Sequence, residues 1–201
     1  MHRRMLRVLP RLCLPTLCVA GALTIAQAAP TEATAPPRVR VSKLPYQVPD
    51  VKLVRQDGTP VSLAAEMDDG RAVVLNFIFT SCQDICPLMT QTFAAFQRKL
   101  GGEAARVHLM SISIDPEQDT PKRLREYAAR FKAGPGWTYY TGTEAASVAA
   151  QKAFNVYLGD KMSHTVVTFM RSAPGASWRR LDGFATPDEL VQHYHALIAA
   201  R

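Results

Sequence analysis

An apolar run, Val73-Val74-Leu75-Asn76-Phe77-Ile78-Phe79, leads straight into Thr80-Ser81-Cys82-Gln83-Asp84-Ile85-Cys86-Pro87, and this junction limits what the chain can become. Val, Ile and Phe in a short run favour a buried strand. Pro87 suits the first turn of a helix, where a backbone N–H would have no partner. Leu88 to Phe96 then continues with helical spacing. The expected unit is strand, loop and helix, with Cys82 in the loop and Cys86 at the helix start. Both sulfurs would then lie near the positive end of that helix, which favours thiolate over thiol. Two such sulfurs four residues apart can close a disulfide or jointly hold a soft metal. The plainer alternative is a pair of inert cysteines at the edge of a core.

Ahead of this unit, Arg3, Arg4 and Arg7 precede a mostly apolar stretch over 12–25 and the small-x-small triplet Ala26-Gln27-Ala28. The pattern reads as an export signal over residues 1–28, cleaved after Ala28. An uncleaved membrane anchor is the alternative, since the apolar stretch is near the lower length limit for spanning a bilayer. Neither Cys13 nor Cys18 sits in a lipid-attachment box. Cleavage removes both and leaves Cys82 and Cys86 as the remaining cysteines. It also removes Arg3, Arg4, Arg7 and Arg11 and no acid, so the formal charge falls from +7 to +3. The basic balance is thus partly a targeting signal, and no basic cluster with interleaved aromatics points to nucleic acid. The Arg179-Arg180 pair reads as a solvated hairpin end. A single close cysteine pair closes too short a loop to stabilise much by chain entropy. In an exported chain, a redox or metal role accounts for it better than stapling does.

Pro30, Pro36, Pro37, Pro45 and Pro49 punctuate residues 29–49, which carry no sustained apolar period and are expected to be an extended, partly ordered tether. Residues 50–201 suffice for one domain with a sizeable core. They begin with a hairpin over 51–63 around Asp57-Gly58, and Asp69-Gly70 turns into the strand at Val73. The helix after Cys86 is expected to end near Gly101, before a central strand over 107–114. Thr120 and Pro121 open the next helix as N-cap and first residue. A strand over 137–141, a helix over 143–153, a hairpin over 165–181 and a closing helix over 187–200 follow. Alternating strands and helices, then a late hairpin and a terminal helix, describe an α/β thioredoxin-like sandwich. Its central mixed sheet is flanked by helices and extended by the N-terminal β-hairpin.

Three blocks stand in order: Phe79-Thr80-Ser81-Cys82 with Cys86-Pro87, Ser113-Ile114-Asp115-Pro116-Glu117 with Asp119-Thr120-Pro121, and Ser163-His164-Thr165 before a strand. Together they resemble the Sco/SenC family over about residues 51–197. The resemblance implies an exported or membrane-tethered thioredoxin-fold protein that binds copper and serves cytochrome c oxidase assembly. By the same resemblance, Cys82 and Cys86 match the two copper thiolates and His164 the histidine ligand. It implies copper as cofactor, Cu(I) ahead of Cu(II), and a copper-accepting partner in a cytochrome c oxidase subunit, with another copper chaperone as a further partner. It implies a site in the periplasm or at the outer face of the inner membrane. The family commonly has Asp before that histidine. Here the residue is Ser163, which removes any carboxylate at that position from orienting the imidazole.

The residues fit this reading on chemical grounds. Two thiolates and one imidazole form a soft three-coordinate set that suits Cu(I). A loop before the strand at 165 can bring His164 back to the mouth of the first βα turn. Structural zinc is less well served, since it wants four ligands and three are evident. The competing mechanism is thiol–disulfide exchange, in which the more exposed Cys82 attacks a partner disulfide and Cys86 resolves the mixed disulfide. A peroxidase shares the fold and the Thr80-to-Cys82 spacing but needs no distant histidine. An oxidised, inert pair in an interaction module is the remaining alternative. His108 is expected to pack in its strand, and His193 and His195 to diverge on a helix. Met89 and Met162 flank the ligands but are expected to pack. Asp115 and Asp119 are balanced between turn capping and a place beside the site.

Overall fold

A computed structural model describes residues 39–200 of the chain. Its strands are β1 (Arg40–Leu44), β2 (Lys52–Arg55), β3 (Pro60–Ser62), β4 (Ala72–Ile78), β5 (Val107–Ser113), β6 (Trp137–Gly142), β7 (Val167–Arg171) and β8 (Trp178–Asp182). They form one sheet in the order β1-β8-β7-β4-β5-β6-β2-β3. The helices are α1 (Leu63–Met67), α2 (Ile85–Leu100), α3 (Pro121–Arg130), α4 (Glu144–Ala153) and α5 (Pro187–Ile198). β4, β5 and β6 run parallel, joined through α2 and α3, and the outer strands pair antiparallel. This is the expected α/β thioredoxin-like sandwich with a mixed central sheet.

β4 and β5 are buried along their whole length because both sheet faces are covered. Val74, Ile78 and Leu109 pack with Phe93 of α2, Leu124 of α3 and Tyr194 of α5 on one face. Val73, Leu75, Phe77 and Met110 pack with Met67 of α1 and Ala150 of α4 on the other. On that second face Phe154 meets Phe169 and Trp178 edge-on, with ring centroids 5.0 Å apart in each pair. Burying a large apolar side chain contributes about 1.5–3 kcal/mol, so these two clusters hold the sheet between its helices. Two helices start on threonines read from the sequence, Thr120 and Thr143, and α5 starts on Thr186; the side chain of each accepts a first-turn N–H. Thr186 and Glu189 complete a reciprocal capping box.

The ordered part of the tether expected over 29–49 is a strand: β1 pairs with β8 from Arg40 opposite Asp182 to Leu44 opposite Trp178. This covers a β8 edge that would otherwise present unpaired backbone groups. Arg179 and Arg180 lie within β8, not at a hairpin end. Arg180 stacks 5.4 Å from the Phe169 ring centroid and donates to Asp182, Tyr46 and the Phe154 carbonyl. Leu63 leaves the N-terminal hairpin and opens α1, whose Ala65 N–H donates to Ser62 Oγ at 3.4 Å. α2 begins at Ile85, so Pro87 lies in its first turn as expected, where an N–H has no intrahelical acceptor.

Asp182, paired with Arg40, also pairs with Val167 at the start of β7, just after His164. Because β7 is antiparallel to β4, that start lies at the C-terminal end of β4. One end of the sheet therefore gathers the Cys82 loop, the His164 loop and the entry to β1. The export signal expected over 1–28 lies outside the described residues. Among the described residues no helix is long and apolar enough to cross a membrane.

Candidate metal centre

Both cysteines are free thiols at the junction of β4 and α2. Cys82 is half-buried, and Cys86 is fully buried in the core beneath α2. The Cys86 backbone N–H donates to Cys82 Sγ at 3.4 Å. Asp84 occupies the N-cap position of α2, but its carboxylate makes no capping bond. The sulfur of Cys82 takes one of the helix's partnerless N–H groups instead.

Burial, the largest influence on Cys86, pushes its thiol from an ordinary 9.0 up to about 12. The expectation that both sulfurs favour thiolate is therefore corrected for Cys86. The partial charge at a helix end is worth roughly 0.3–1 kcal/mol at ordinary sites, too little against the loss of all surrounding water. The pair is asymmetric, with one sulfur half-buried and one held protonated inside.

Asp119 lies beneath the loop, fully buried. Its carboxylate accepts the Thr80 backbone N–H at 3.1 Å, the Thr80 hydroxyl, and the Ser113 hydroxyl at 2.6 Å. Of its two expected roles, the structure gives Asp119 the one beside the site. Capping of α3 falls to Thr120.

His164 follows a 3-10 turn, Lys161–Ser163, whose Met162 N–H donates to Asp160 at 2.9 Å. The Ser163 hydroxyl bonds back to Asp160 at 3.4 Å and leaves the imidazole alone. Both ring nitrogens of His164 are buried and have no hydrogen-bond partner. Burial also lowers its pKa, so the ring is neutral at pH 7. Beside it opens a cleft of about 340 Å³ lined by Asp115, Glu117, Glu144, Gln151, Asp160 and Lys161. Among the described residues no three Cys, His, Asp or Glu side chains are gathered as an ion-holding group. The structure thus brings Cys82 and Cys86 together and does not gather His164 with them.

His108 and His195 lie away from this end. His108 is buried, with Nδ1 3.1 Å from the Glu66 carbonyl and 2.9 Å from Asp69, and Nε2 3.3 Å from the Thr138 hydroxyl. Burial first, then the Arg71 guanidinium, lowers its pKa in spite of Asp69. His195 meets Glu103 on the surface at 3.2 Å. Met89 is buried as expected, whereas Met162 is 71% exposed and packs little. Sequence reasoning missed three arrangements: Cys82 as a helix cap, Asp119 under Thr80, and an ion pair from Lys161 to Asp115. The one available signal was the clustering of Ser113, Asp115 and Asp119 in a single block.

The family model described as SCO1/SenC matches residues 44–199, a span that includes both cysteines and His164. The chain belongs to the SCO1/SenC family. The SCO1 protein homolog of Bacillus subtilis is 38% identical over 106 residues, which are 52% of this chain and 54% of that relative. The chain thus spans about half the length of that curated relative. BsSco, described as a member of the Sco family of cytochrome c oxidase assembly proteins with a disulfide switch, matches with a TM-score of 0.66 and 28% identity. That match covers 80% of this chain and 98% of BsSco. Copper-bound ScoI of Arabidopsis thaliana matches with a TM-score of 0.65 over 80% of this chain and 98% of its own, at 24% identity, a likeness of fold. The SCO1/SenC assignment and the eight-stranded sheet therefore agree.

Proposed function

We propose that this SCO1/SenC protein is an exported copper metallochaperone. It holds copper with Cys82, Cys86 and His164 and delivers it to, or prepares, the copper site of cytochrome c oxidase. The observation that carries this reading is the state of His164: a neutral imidazole with two buried nitrogens and no partner. Leaving a buried polar group unpaired costs about 1–3 kcal/mol, which ligation would recover. The donor set fits the cargo, since thiolates and imidazole suit Cu(I). The copper carried by the related fold of Arabidopsis ScoI supports the same choice. Export to the periplasm rests on the signal pattern over 1–28.

The chain's own residues divide the work. Cys82, reached from solvent, meets the cargo first and gives its proton to water. Cys86 follows from inside and surrenders its proton only as it binds, because burial otherwise holds it protonated. His164 closes from the neighbouring loop. Delivery reverses the order, with acceptor thiolates replacing these ligands one at a time. The test is anaerobic titration of the reduced protein with Cu(I) against a competing chelator, beside His164→Ala. Loss of an outer-shell partner alone costs roughly 10–100-fold in metal affinity, so losing the ligand should cost at least that. Binding that is weak, or indifferent to His164, sinks the assignment.

The sulfur asymmetry favours a second activity at the same pair. An accessible Cys82 over a buried Cys86 suits thiol–disulfide exchange, with Cys82 attacking and Cys86 resolving. In that activity His164→Ala keeps its rate of exchange with a small disulfide, whereas Cys82→Ser abolishes it.

A further inference from the structure

An unbroken polar path runs between the loop that carries His164 and the loop that carries Cys82. Lys161 Nζ donates to Asp115 Oδ2 at 2.7 Å. The Asp115 backbone N–H donates to Ser113 Oγ at 3.0 Å, and the Ser113 hydroxyl donates in turn to Asp119 Oδ2 at 2.6 Å. Asp119 receives the backbone N–H and the hydroxyl of Thr80, two residues before Cys82. Lys161 stands three residues before His164, and its ammonium also lies 5.9 Å from the Phe79 ring centroid, on the thiol-bearing segment.

The turn at the other end of this path is a closed unit. Ser163 N–H donates to the Asp160 carbonyl at 3.1 Å, and His164 N–H to the Lys161 carbonyl at 3.2 Å. Among the described residues, Lys161 to Asp115 is the one side-chain hydrogen bond from this turn to another element. An exposed ion pair would ordinarily matter little. Asp115 is buried, however, and the cation sits at the end of a buried network whose members polarise and fix one another.

The geometry points to a positioning bridge: Lys161, Asp115 and Ser113 hold the histidine loop in register with the thiol loop and so set how His164 approaches Cys82 and Cys86. This rests on the copper reading above. It extends that reading from the donors to the residues that aim them, as outer-shell partners do at metal sites.

The test titrates the whole reduced chain with Cu(I) against a chelator. It compares wild type, His164→Ala, Lys161→Met, Lys161→Arg, Ser113→Ala and the Lys161→Met/Ser113→Ala double variant. The Cu(II) forms are read by EPR for nitrogen hyperfine coupling from His164. Lys161→Met and Ser113→Ala should each weaken binding by about tenfold and diminish the nitrogen coupling. Lys161→Arg should keep both. The double variant should lose no more than about tenfold, because both changes cut one path. The Lys161 side chain is 41% exposed, so Lys161→Met retains its fold, which a thermal melt verifies. Wild-type affinity and nitrogen coupling in Lys161→Met overturn the bridge, as does an additive loss of about a hundredfold in the double variant. Wild-type binding that ignores His164→Ala overturns the copper reading itself, and the bridge with it.

Discussion

Replacing Cys82 by serine isolates Cys86 and turns its burial into a rate. In the fold its thiol is held at about 12, against 9.0 for an ordinary thiol. At pH 8 the ordinary thiol is about one-tenth thiolate and Cys86 about one part in ten thousand, a deficit of about a thousandfold. A more basic thiolate is a better nucleophile, and a Brønsted slope of about 0.4–0.5 over three decades returns roughly 16–32-fold. The net expectation is that Cys86 of Cys82→Ser reacts with iodoacetamide about 30–60-fold more slowly in native buffer than in urea. Loss of Cys82 relieves smaller influences that also raise Cys86, but burial is the largest and remains. Alkylation is followed peptide by peptide with mass spectrometry from pH 8 to pH 11, and the native rate should climb about tenfold per pH unit. A native rate within about threefold of the rate in urea refutes the reasoning. The sulfur asymmetry would then have some origin other than desolvation.

Asp119→Ala strips the acceptor from the Thr80 N–H and from two hydroxyls. It should cost about 2–4 kcal/mol and lower the melting temperature by about 4–16 °C; an unchanged melt by circular dichroism counts against the network. His108 and His164 are held neutral, with folded pKa values below the free value of 6.5. As pH falls through about 6.5 the unfolded chain therefore takes up protons that the fold refuses, and stability is lost from there down toward the lowered folded values. Urea midpoints should be lower at pH 5.5 than at pH 7.5, and equal midpoints contradict the assignment. A chain starting at Pro45 lacks β1 and bares the edge of β8. It should melt earlier and associate with rising concentration in light scattering, while an equally stable monomer would show that β1 contributes nothing.

Local chemistry was the legible part of this chain. Thr120-Pro121 and Thr143 act within four residues of themselves, so their helices could be read directly. Apolar residues on both faces of β4 and β5 announced a sheet covered on both sides. β1 was hidden because Val41 and Leu44 are its only apolar residues and its partner strand lies more than 130 positions away. Cys82 and Cys86 stood out by residue type and spacing, and His164 by the block that resembles the Sco/SenC family. The thiol asymmetry did not, because the helix end beside Cys86 is local while the side chains that bury it come from other elements. The bridge was equally out of reach, since Thr80 and Asp119 are 39 positions apart and Asp115 and Lys161 are 46 apart.

The entry of β1 has a mechanical consequence. Arg40 joins the sheet at the same end as the thiol loop, three strands across from β4, which at strand spacing is about 14 Å. A pull applied at Val39 would therefore enter the sheet at its sulfur-bearing end and load the β1–β8 ladder before any other pairing.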